Sequence, residues 1–291
     1  MMPPVAKPAV AVPPKVDYAA YAYGGAYDRS KVRAGYLANF SQIEFTASTL
    51  TDLEQLLGFM ESDAAITDLR WVAYILATVM WETKTAEAVR RVVKDKKGKP
   101  LLDKSKQPVT RAGTAWHAMA PISEHGFGSG RLYYQPVKVD VSSADKVVIT
   151  EHDGDQFEAS SAGTIKPVTK KARMGALATG PEAVKYRDAK GTEHAYYGRG
   201  YVQLTWWSNY LAAGIALGMG TDLLVNPDNV NRAETAYKIM SLGMRTGKIF
   251  ANGHKLVDYF KADSTDYAGA RAMVNARDPE PTIVKYAKKF E

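Results

Sequence analysis

The residues whose types could most clearly do chemistry lie between Tyr196 and Tyr210, in the stretch YYGRGYVQLTWWSNY. A Gly-Arg-Gly turn is followed by a glutamine, a threonine, two tryptophans and an asparagine. Such mixtures bind sugars, because aromatic rings cover the apolar C–H face of a pyranose while amides and hydroxyls pair with its OH groups. The same composition also fits a strand and turn leading into a helix with its aromatic residues in the core. Residue types alone leave both interpretations open.

The order of residues in this stretch resembles the signature of the family 19 glycoside hydrolases, which include chitinases and phage endolysins. Members of that family have Tyr-Tyr-Gly-Arg-Gly, two further residues, Gln-Leu-Ser/Thr and then Asn-Tyr. The resemblance implies that Gln203, Thr205 and Asn209 line a sugar cleft, with the Thr205 hydroxyl helping to hold the attacking water. We expect Tyr197 and Arg199, in the same motif, to bind substrate as well.

Glu82 is the first candidate for a catalytic carboxylate. It follows a nearly continuous apolar run, Trp71 to Trp81, within a stretch that predicts a buried central helix over Asp68 to Ala86. A glutamate after such a run usually marks the point where a helix reaches solvent.

The surrounding sequence AYILATVMWETKT resembles the family segment in which a buried helix ends in His-Glu-Thr or His-Glu-Ser. The glutamate of that segment is the general acid, and Trp81 here replaces the usual histidine. The resemblance therefore implies that Glu82 is the acid. A carboxyl beside Trp81 would be partly desolvated, which raises its pKa and keeps it protonated.

Glu124 is the second candidate. PISEHG, from Pro121 to Gly126, resembles a Pro-Ile-x-Glu-Tyr-Gly-like segment of phage and bacterial relatives. Family 19 enzymes invert, and inversion places acid and base roughly 6.5–9.5 Å apart so that a water fits between the base and the sugar. The resemblance thus implies Glu82 as acid and Glu124 as base. Glu87 and Glu193 are rival bases that we interpret as surface charges.

A third region of resemblance is DYAGARAMVNARD, similar to a late helix of the family that carries a cleft asparagine. It implies that Asn275 binds substrate, with Arg271 as a helper; the alternative for Asn275 is a helix C-cap. His117 and His125 have no Cys, His or Asp partners at ligand spacing, so we expect no metal and no cofactor.

Two segments interrupt the family core. The first, at about 88–113, has six lysines between Lys94 and Lys106 and predicts an exposed hairpin or loop. A solvated face is its simpler interpretation, and contact with an anionic polymer is the functional one. The second, at 137–192, contains VKVDV and KVVIT between turn signals, which predict a small β-rich antiparallel lobe.

The chain of 291 residues can bury one main core. The resemblance implies a mostly helical α+β, lysozyme-like domain over 17–291, after a disordered or extended arm at 1–16. Residues 17–36, rich in tyrosine and glycine, are expected to form an irregular lead-in. The chain has no cysteine, so no disulfide supports this fold.

The net charge of +7 favours a polyanionic partner. We expect hydrolysis of β-1,4-linked N-acetylated glycan, with bacterial peptidoglycan as the substrate of an endolysin-type muramidase. The alternatives are a chitinase, or a non-catalytic wall-binding or virion-associated module; a nucleic-acid-binding protein ranks last because no recognition motif accompanies the charge.

The start of the chain lacks the pattern of a secretory signal, and no apolar run approaches the ~18 residues of a membrane span. We therefore expect a protein that is made in the cytoplasm and reaches the cell wall after release. We also expect it to be a monomer.

Overall fold

The structure, a computed structural model, describes residues 26–40, 45–143, 146–169, 193–275 and 281–291. The predicted arm at 1–16 and the last part of the second insertion, 170–192, lie outside these residues. The described part is mostly helical with smaller sheets, which confirms the predicted α+β class.

The described helices lie at both ends of the chain, with most strands between them. The helices are α1 (Arg29–Asn39), α2 (Ala47–Glu61), α3 (Leu69–Glu82), α4 (Trp207–Ala216), α5 (Asp222–Val225), α6 (Ala233–Thr246), α7 (Leu256–Tyr259), α8 (Ala272–Asn275) and α9 (Pro281–Phe290). The strands are β1 (Thr85–Val92), β2 (Thr110–His117), β3 (Ile122–Ser123), β4 (Val137–Ser143), β5 (Lys146–Thr150), β6 (Gln156–Ser160), β7 (Ile165–Thr169), β8 (Glu193–His194), β9 (Arg199–Gly200), β10 (Phe260–Lys261) and β11 (Ser264–Thr265).

Helix α3 is the centre of the main core. Asp68 caps it by accepting a hydrogen bond from the backbone N of Arg70 at 2.8 Å. Every residue from Arg70 to Met80 is buried, and the helix packs chiefly against α9. This confirms the predicted central helix. It ends at Glu82 rather than Ala86, because the chain turns there into strand β1.

Helix α1 corrects the expected lead-in. An irregular segment was predicted over 17–36, but the chain is helical from Arg29 onward. Asp28 supplies the start signal, because its carboxylate accepts a hydrogen bond from the backbone N of Lys31 at 3.2 Å. Tyr36 then anchors the helix in the main core.

The first insertion is a hairpin, one of the two predicted forms. Strands β1 and β2 pair antiparallel, from Thr85 opposite His117 to Val92 opposite Thr110. The lysine-rich connection between them is exposed and continues the pairing through isolated bridges.

The second insertion contains the predicted antiparallel lobe. Five strands pair in the order β7-β6-β5-β4-β8, so the lobe ends on the strand that precedes the signature. Its inner residues Val147, Ile149 and Ala159 are fully buried and pack with Trp207 and Leu211 of α4. The signature stretch therefore lies between the main core and a second core beneath the lobe. Among the described residues, no helix combines the length and apolar character needed to cross a membrane.

Candidate active site

Glu124 is held by the turn of the signature. It directly follows strand β3, which pairs with β9 so that Ser123 lies opposite Arg199. The backbone N of Glu124 donates to Gly198 O at 2.7 Å, and Gly198 N donates to Glu124 Oε2 at 3.0 Å. This reciprocal pair fixes the carboxylate against the Gly-Arg-Gly turn.

Tyr133 provides a second donor to the same carboxylate. Its hydroxyl donates to Glu124 Oε1 at 2.7 Å. Burial, followed by the hydrogen bond and charge of Glu124, raises the pKa of Tyr133, so the phenol stays neutral and keeps its proton for this bond. Both carboxylate oxygens of Glu124 therefore accept a hydrogen bond. Tyr133 was not predicted from the sequence, because the LYY stretch that contains it carries no motif that singles it out.

Glu82 is the last residue of α3, where the negative end of the helix dipole disfavours a carboxylate. The guanidinium of Arg271 compensates, since its Nη1 donates to Glu82 Oε1. Both side chains are largely enclosed, with exposed fractions of 15% for Glu82 and 6% for Arg271. The expected partial burial of Glu82 is present, but the ion pair with Arg271 favours its charged form, which the expectation built on Trp81 did not include.

A neighbouring threonine connects the two segments that carry the glutamates. Thr83 Oγ1 donates to Val79 O at 2.7 Å and accepts from the backbone N of Met119 at 2.8 Å. Met119 has a positive φ of 73° and lies on the path from the first insertion to Glu124. The end of α3 and the segment leading to the second carboxylate are thus joined despite the inserted hairpin.

Gln203 is fixed in an unusual backbone conformation. Its φ is 53°, in the left-handed region that non-glycine residues seldom occupy. The side-chain Nε2 donates to Ile122 O and Gly200 O, each at 3.2 Å, so the amide spans β3 and β9. The half-buried amide therefore lies next to the strand that positions Glu124.

Thr205 and Asn209 are partly exposed around the start of α4. Asn209 Nδ2 donates to Thr205 O at 2.9 Å, which orders the segment that precedes the helix. Trp206 lies between them in the sequence, with φ 70° and an exposed fraction of 43%. A partly exposed threonine, amide and indole ring remain available to a ligand along this edge.

Arg199 is completely buried in this structure, and its contact with substrate stays a prediction. Its guanidinium lies 3.6 Å from the ring centroid of Tyr197 and donates to Ala195 O at 2.9 Å, to Tyr210 Oη at 3.0 Å and to Asp228 Oδ1 at 2.8 Å. Tyr197 is buried as well. In this conformation both residues form the interior of the signature turn, so we assign them a structural role.

Asn275 is exposed at the end of α8. Its position one helical turn beyond Arg271 connects it with the segment that pairs with Glu82. The predicted residues therefore fall into two groups: the signature turn with Glu124 and Gln203, and the end of α3 with Arg271 and Asn275.

The rival base Glu87 lies on the hairpin, as a surface charge would. Its Oε1 is 3.2 Å from His117 Nδ1, and His117 Nε2 is 2.6 Å from Asp52 Oδ2. This cluster ties the first insertion to α2. The side chain of the other rival, Glu193, lies outside what the structure describes. Across the described ranges, no group of three His, Cys, Asp or Glu side chains is arranged to hold a metal ion.

Comparison with known proteins supports the signature. Residues 170–246 match the family described as chitinase class I, glycoside hydrolase family 19. A stretch of 42 residues is 60% identical to Chitinase 8 of Oryza sativa subsp. japonica and covers 14% of this chain and 15% of the rice protein. No solved structure matches the chain. Glu82 and Glu124 precede the part that matches the family, so their roles rest on the contacts described above and on the local resemblance.

Proposed function

Because its signature segment matches the glycoside hydrolase family 19 over residues 170–246, we propose that this protein is a glycosidase acting on β-1,4-linked N-acetylated glycan. The observation that carries the proposal is that Glu124 accepts a hydrogen bond from Gly198 N of the signature turn and another from Tyr133 Oη. The signature turn and the candidate base are therefore in direct contact.

In the proposed mechanism, Glu124 is the general base. Its ionised carboxylate takes a proton from a water molecule as the water oxygen bonds to the anomeric carbon. Thr205 and the fixed amide of Gln203 help to hold this water and the sugar. The new bond forms on the face opposite the leaving group, so the anomeric configuration inverts.

Glu82 is the proposed general acid. It transfers a proton to the glycosidic oxygen as the bond from that oxygen to the anomeric carbon breaks. Because the ion pair with Arg271 favours the ionised carboxylate, the acid role requires that substrate binding weaken this pair before Glu82 takes up its proton. Over one turnover, a water proton passes to Glu124 and a proton from Glu82 leaves with the departing sugar.

Bacterial peptidoglycan is the substrate we propose, with the protein acting at the cell wall. The net charge of +7 and the exposed lysines of the first insertion suit an anionic envelope. Chitin is the second candidate, because the rice relative is named a chitinase. The two polymers share β-1,4-linked N-acetylglucosamine and differ in the peptide branch.

The test compares wild type with Glu82→Gln and Glu124→Gln on Gram-negative cells with a permeabilised outer membrane, and on chitin oligomers. Turbidity, new reducing ends and product masses are recorded. We expect wild type to lyse the cells and release saccharides with hydrated reducing ends, and each amide variant to be folded but at least about a hundredfold slower. Glu87→Gln is the matched control and keeps its activity.

Two outcomes would contradict the proposal. Cleavage of chitin oligomers without cleavage of peptidoglycan would identify chitin, and not peptidoglycan, as the substrate. A wild type that sediments with cell walls yet releases no reducing ends would identify a non-catalytic wall-binding module instead.

A further inference from the structure

A pocket lies between the inserted lobe and the signature, beside the candidate active site. Its volume is about 70 Å³. The residues around it come from the segment after Glu124, from the β5–β6 turn and from the signature: Leu132, Tyr133, Gln135, Val137, Glu151, His152, Asp153, Tyr196, Trp206 and Trp207. Pockets that enclose a whole small molecule measure roughly 300–1,000 Å³, so this one suits a single substituent of a larger ligand.

The aromatic wall of the pocket adjoins the proposed base. The ring of Trp206 meets that of Tyr133 edge to face, with centroids 5.9 Å apart, and the Tyr133 hydroxyl donates to Glu124. Trp206 remains 43% exposed, so its ring is accessible to a ligand. A substrate unit in the pocket is therefore near the bond to be cleaved.

Two carboxylates of the β5–β6 turn also line the pocket. Glu151 is held in place by Trp207, whose Nε1 donates to Glu151 Oε1 at 2.5 Å. Asp153 follows in the same turn, and its Oδ1 accepts from the backbone N of Asp155 at 3.0 Å. His152 is the basic residue among those lining the pocket, and no lysine or arginine is among them.

The neighbouring carboxylates of this turn act on Glu151. Burial raises the pKa of Glu151, the hydrogen bond from Trp207 lowers it, and Asp153 and Asp155 raise it further, with a net increase. A neutral sugar would leave the repulsion among these carboxylates in place. An ammonium group would relieve it and would also meet the face of an indole, which attracts cations.

We propose that this pocket binds the ammonium group of an amine-bearing unit of the glycan, between the ring of Trp206 and the carboxylates of Glu151 and Asp153. The inference rests on the proposed function and adds a specificity site that the inserted lobe supplies. Two sources offer this group: the free side-chain amine of a diamino acid in a peptide branch, and the amine of a deacetylated glucosamine.

The test measures binding rather than turnover. Dissociation constants are determined by NMR titration for two pairs of probes: a stem-type peptide with a free or an acetylated side-chain amine, and a glucosamine trimer or its N-acetylated counterpart. We expect a free amine to bind about fivefold or more tightly than its acetylated partner. The pair that shows the preference identifies the source of the amine.

Variants locate the preference. Glu151→Gln keeps an acceptor for Trp207, and Trp206→Ala removes the exposed ring; each is expected to abolish the difference between free and acetylated probes. Glu158→Gln, which removes the charge of a partly exposed carboxylate paired with Lys146 elsewhere on the lobe, is the matched control and retains the difference.

Equal binding of both members of each pair by wild type, or a preference that persists in Glu151→Gln, would overturn the inference. These results are separable from failure of the proposed function. A protein that prefers free amines but releases no reducing ends would support the amine pocket and contradict the proposed hydrolysis. A protein that hydrolyses glycan without preferring free amines would support the hydrolysis and contradict the amine pocket.

Discussion

Gly198 is a small residue at a crowded point of the site. A Cβ at this position would lie 2.9 Å from Gln203 Oε1 and 3.2 Å from Glu124 Cβ. The candidate base and the fixed amide therefore both depend on the absence of a side chain there. The absence of a side chain at Gly198 thus sets how closely Gln203 and the proposed base Glu124 approach the turn.

Substituting this glycine tests how closely the base must be placed. In Gly198→Ala, the new methyl group is expected to displace Gln203 and Glu124 and to lower kcat by about tenfold to a hundredfold. Gly35→Ala is the control, since no atom lies within 4 Å of its added Cβ and it is within helix α1. Steady-state kinetics on soluble oligosaccharides provides the measurement. Equal kcat for both variants would show that the turn does not position the base.

The phenol of Tyr133 is expected to contribute through its hydrogen bond to Glu124. Tyr133→Phe keeps the ring against Trp206 but leaves one carboxylate oxygen without its donor. A hydrogen bond to a charged group is worth about 1.5–3 kcal/mol, so we expect kcat/KM to fall by roughly tenfold to a hundredfold. The fall should lie in kcat, with KM little changed. A change confined to KM would assign Tyr133 to substrate binding instead.

At the scale of elements, the signature turn is held together by a buried arginine. The guanidinium of Arg199 stacks on Tyr197, pairs with Asp228 and donates to Tyr210 and to the backbone. It thereby links β9 to the start of α4 and to the Pro227–Asn231 turn. This geometry needs a planar group with several donors, which lysine does not supply.

Arg199→Lys is therefore expected to lower the free energy of unfolding by about 3 kcal/mol, because the buried oxygens that Arg199 pairs with lose donors. Asp228→Asn is the matched control. The Asp228 side chain is 52% exposed, so its loss should cost under about 1 kcal/mol. Chemical denaturation monitored by tryptophan fluorescence compares the two. Similar losses for both variants would mean that the ion pair, not the stacking and backbone bonds, stabilises the turn.

The elements differ in how far the sequence predicts them. The central helix and the lobe strands follow from apolar periodicity and alternation, and both are present at the predicted places. Helix α1 was missed because the glycines before it outweighed the Asp28 cap. The contacts of buried Arg199 and the ion pair between Arg271 and Glu82 both involve residues that are far apart in the chain. Local patterns carry no signal for such contacts, and arginine is usually exposed.

At the scale of the whole molecule, a buried histidine under the lobe predicts a pH dependence of stability. His194 is in β8, paired with Val137 of β4. Burial first, and then the charge of Arg199, lower its pKa, while Asp228 raises it to a smaller extent. The folded protein therefore holds this imidazole neutral at pH values where an ordinary histidine begins to take up a proton.

The sign of the resulting pH dependence follows from proton binding. Below about pH 6.5 the unfolded chain binds a proton at this position before the folded chain does, so the free energy of unfolding falls as pH falls. We expect melting temperature to decline from about pH 6.5 downward, and this part of the decline to be absent in His194→Gln. Thermal denaturation between pH 4.5 and 7.5 gives the measurement. The same slope in the variant would show that other groups cause it.

Asp63 affects stability in a lower pH range than His194 does. Burial acts to raise its pKa, but hydrogen bonds from Ser241, the backbone N of Ala65 and Tyr237 lower it more strongly, so the net pKa is below its usual value. Its stabilising contribution is present above about pH 4 and is lost as pH falls further. Asp63→Asn should therefore lower the free energy of unfolding at neutral pH. It should leave the pH dependence of stability near pH 6 unchanged.

The most direct test of the central claim is the anomeric form of the first product. Wild type, Glu82→Gln and Glu124→Gln are incubated with soluble N-acetylglucosamine oligomers and with muropeptide oligomers, and the anomeric protons are followed by NMR from the earliest times. Hydrolysis by two carboxylates with an intervening water predicts that the α-anomer appears first with wild type and that both variants give little product. Initial release of the β-anomer, or undiminished hydrolysis by either variant, would contradict the roles assigned to Glu82 and Glu124.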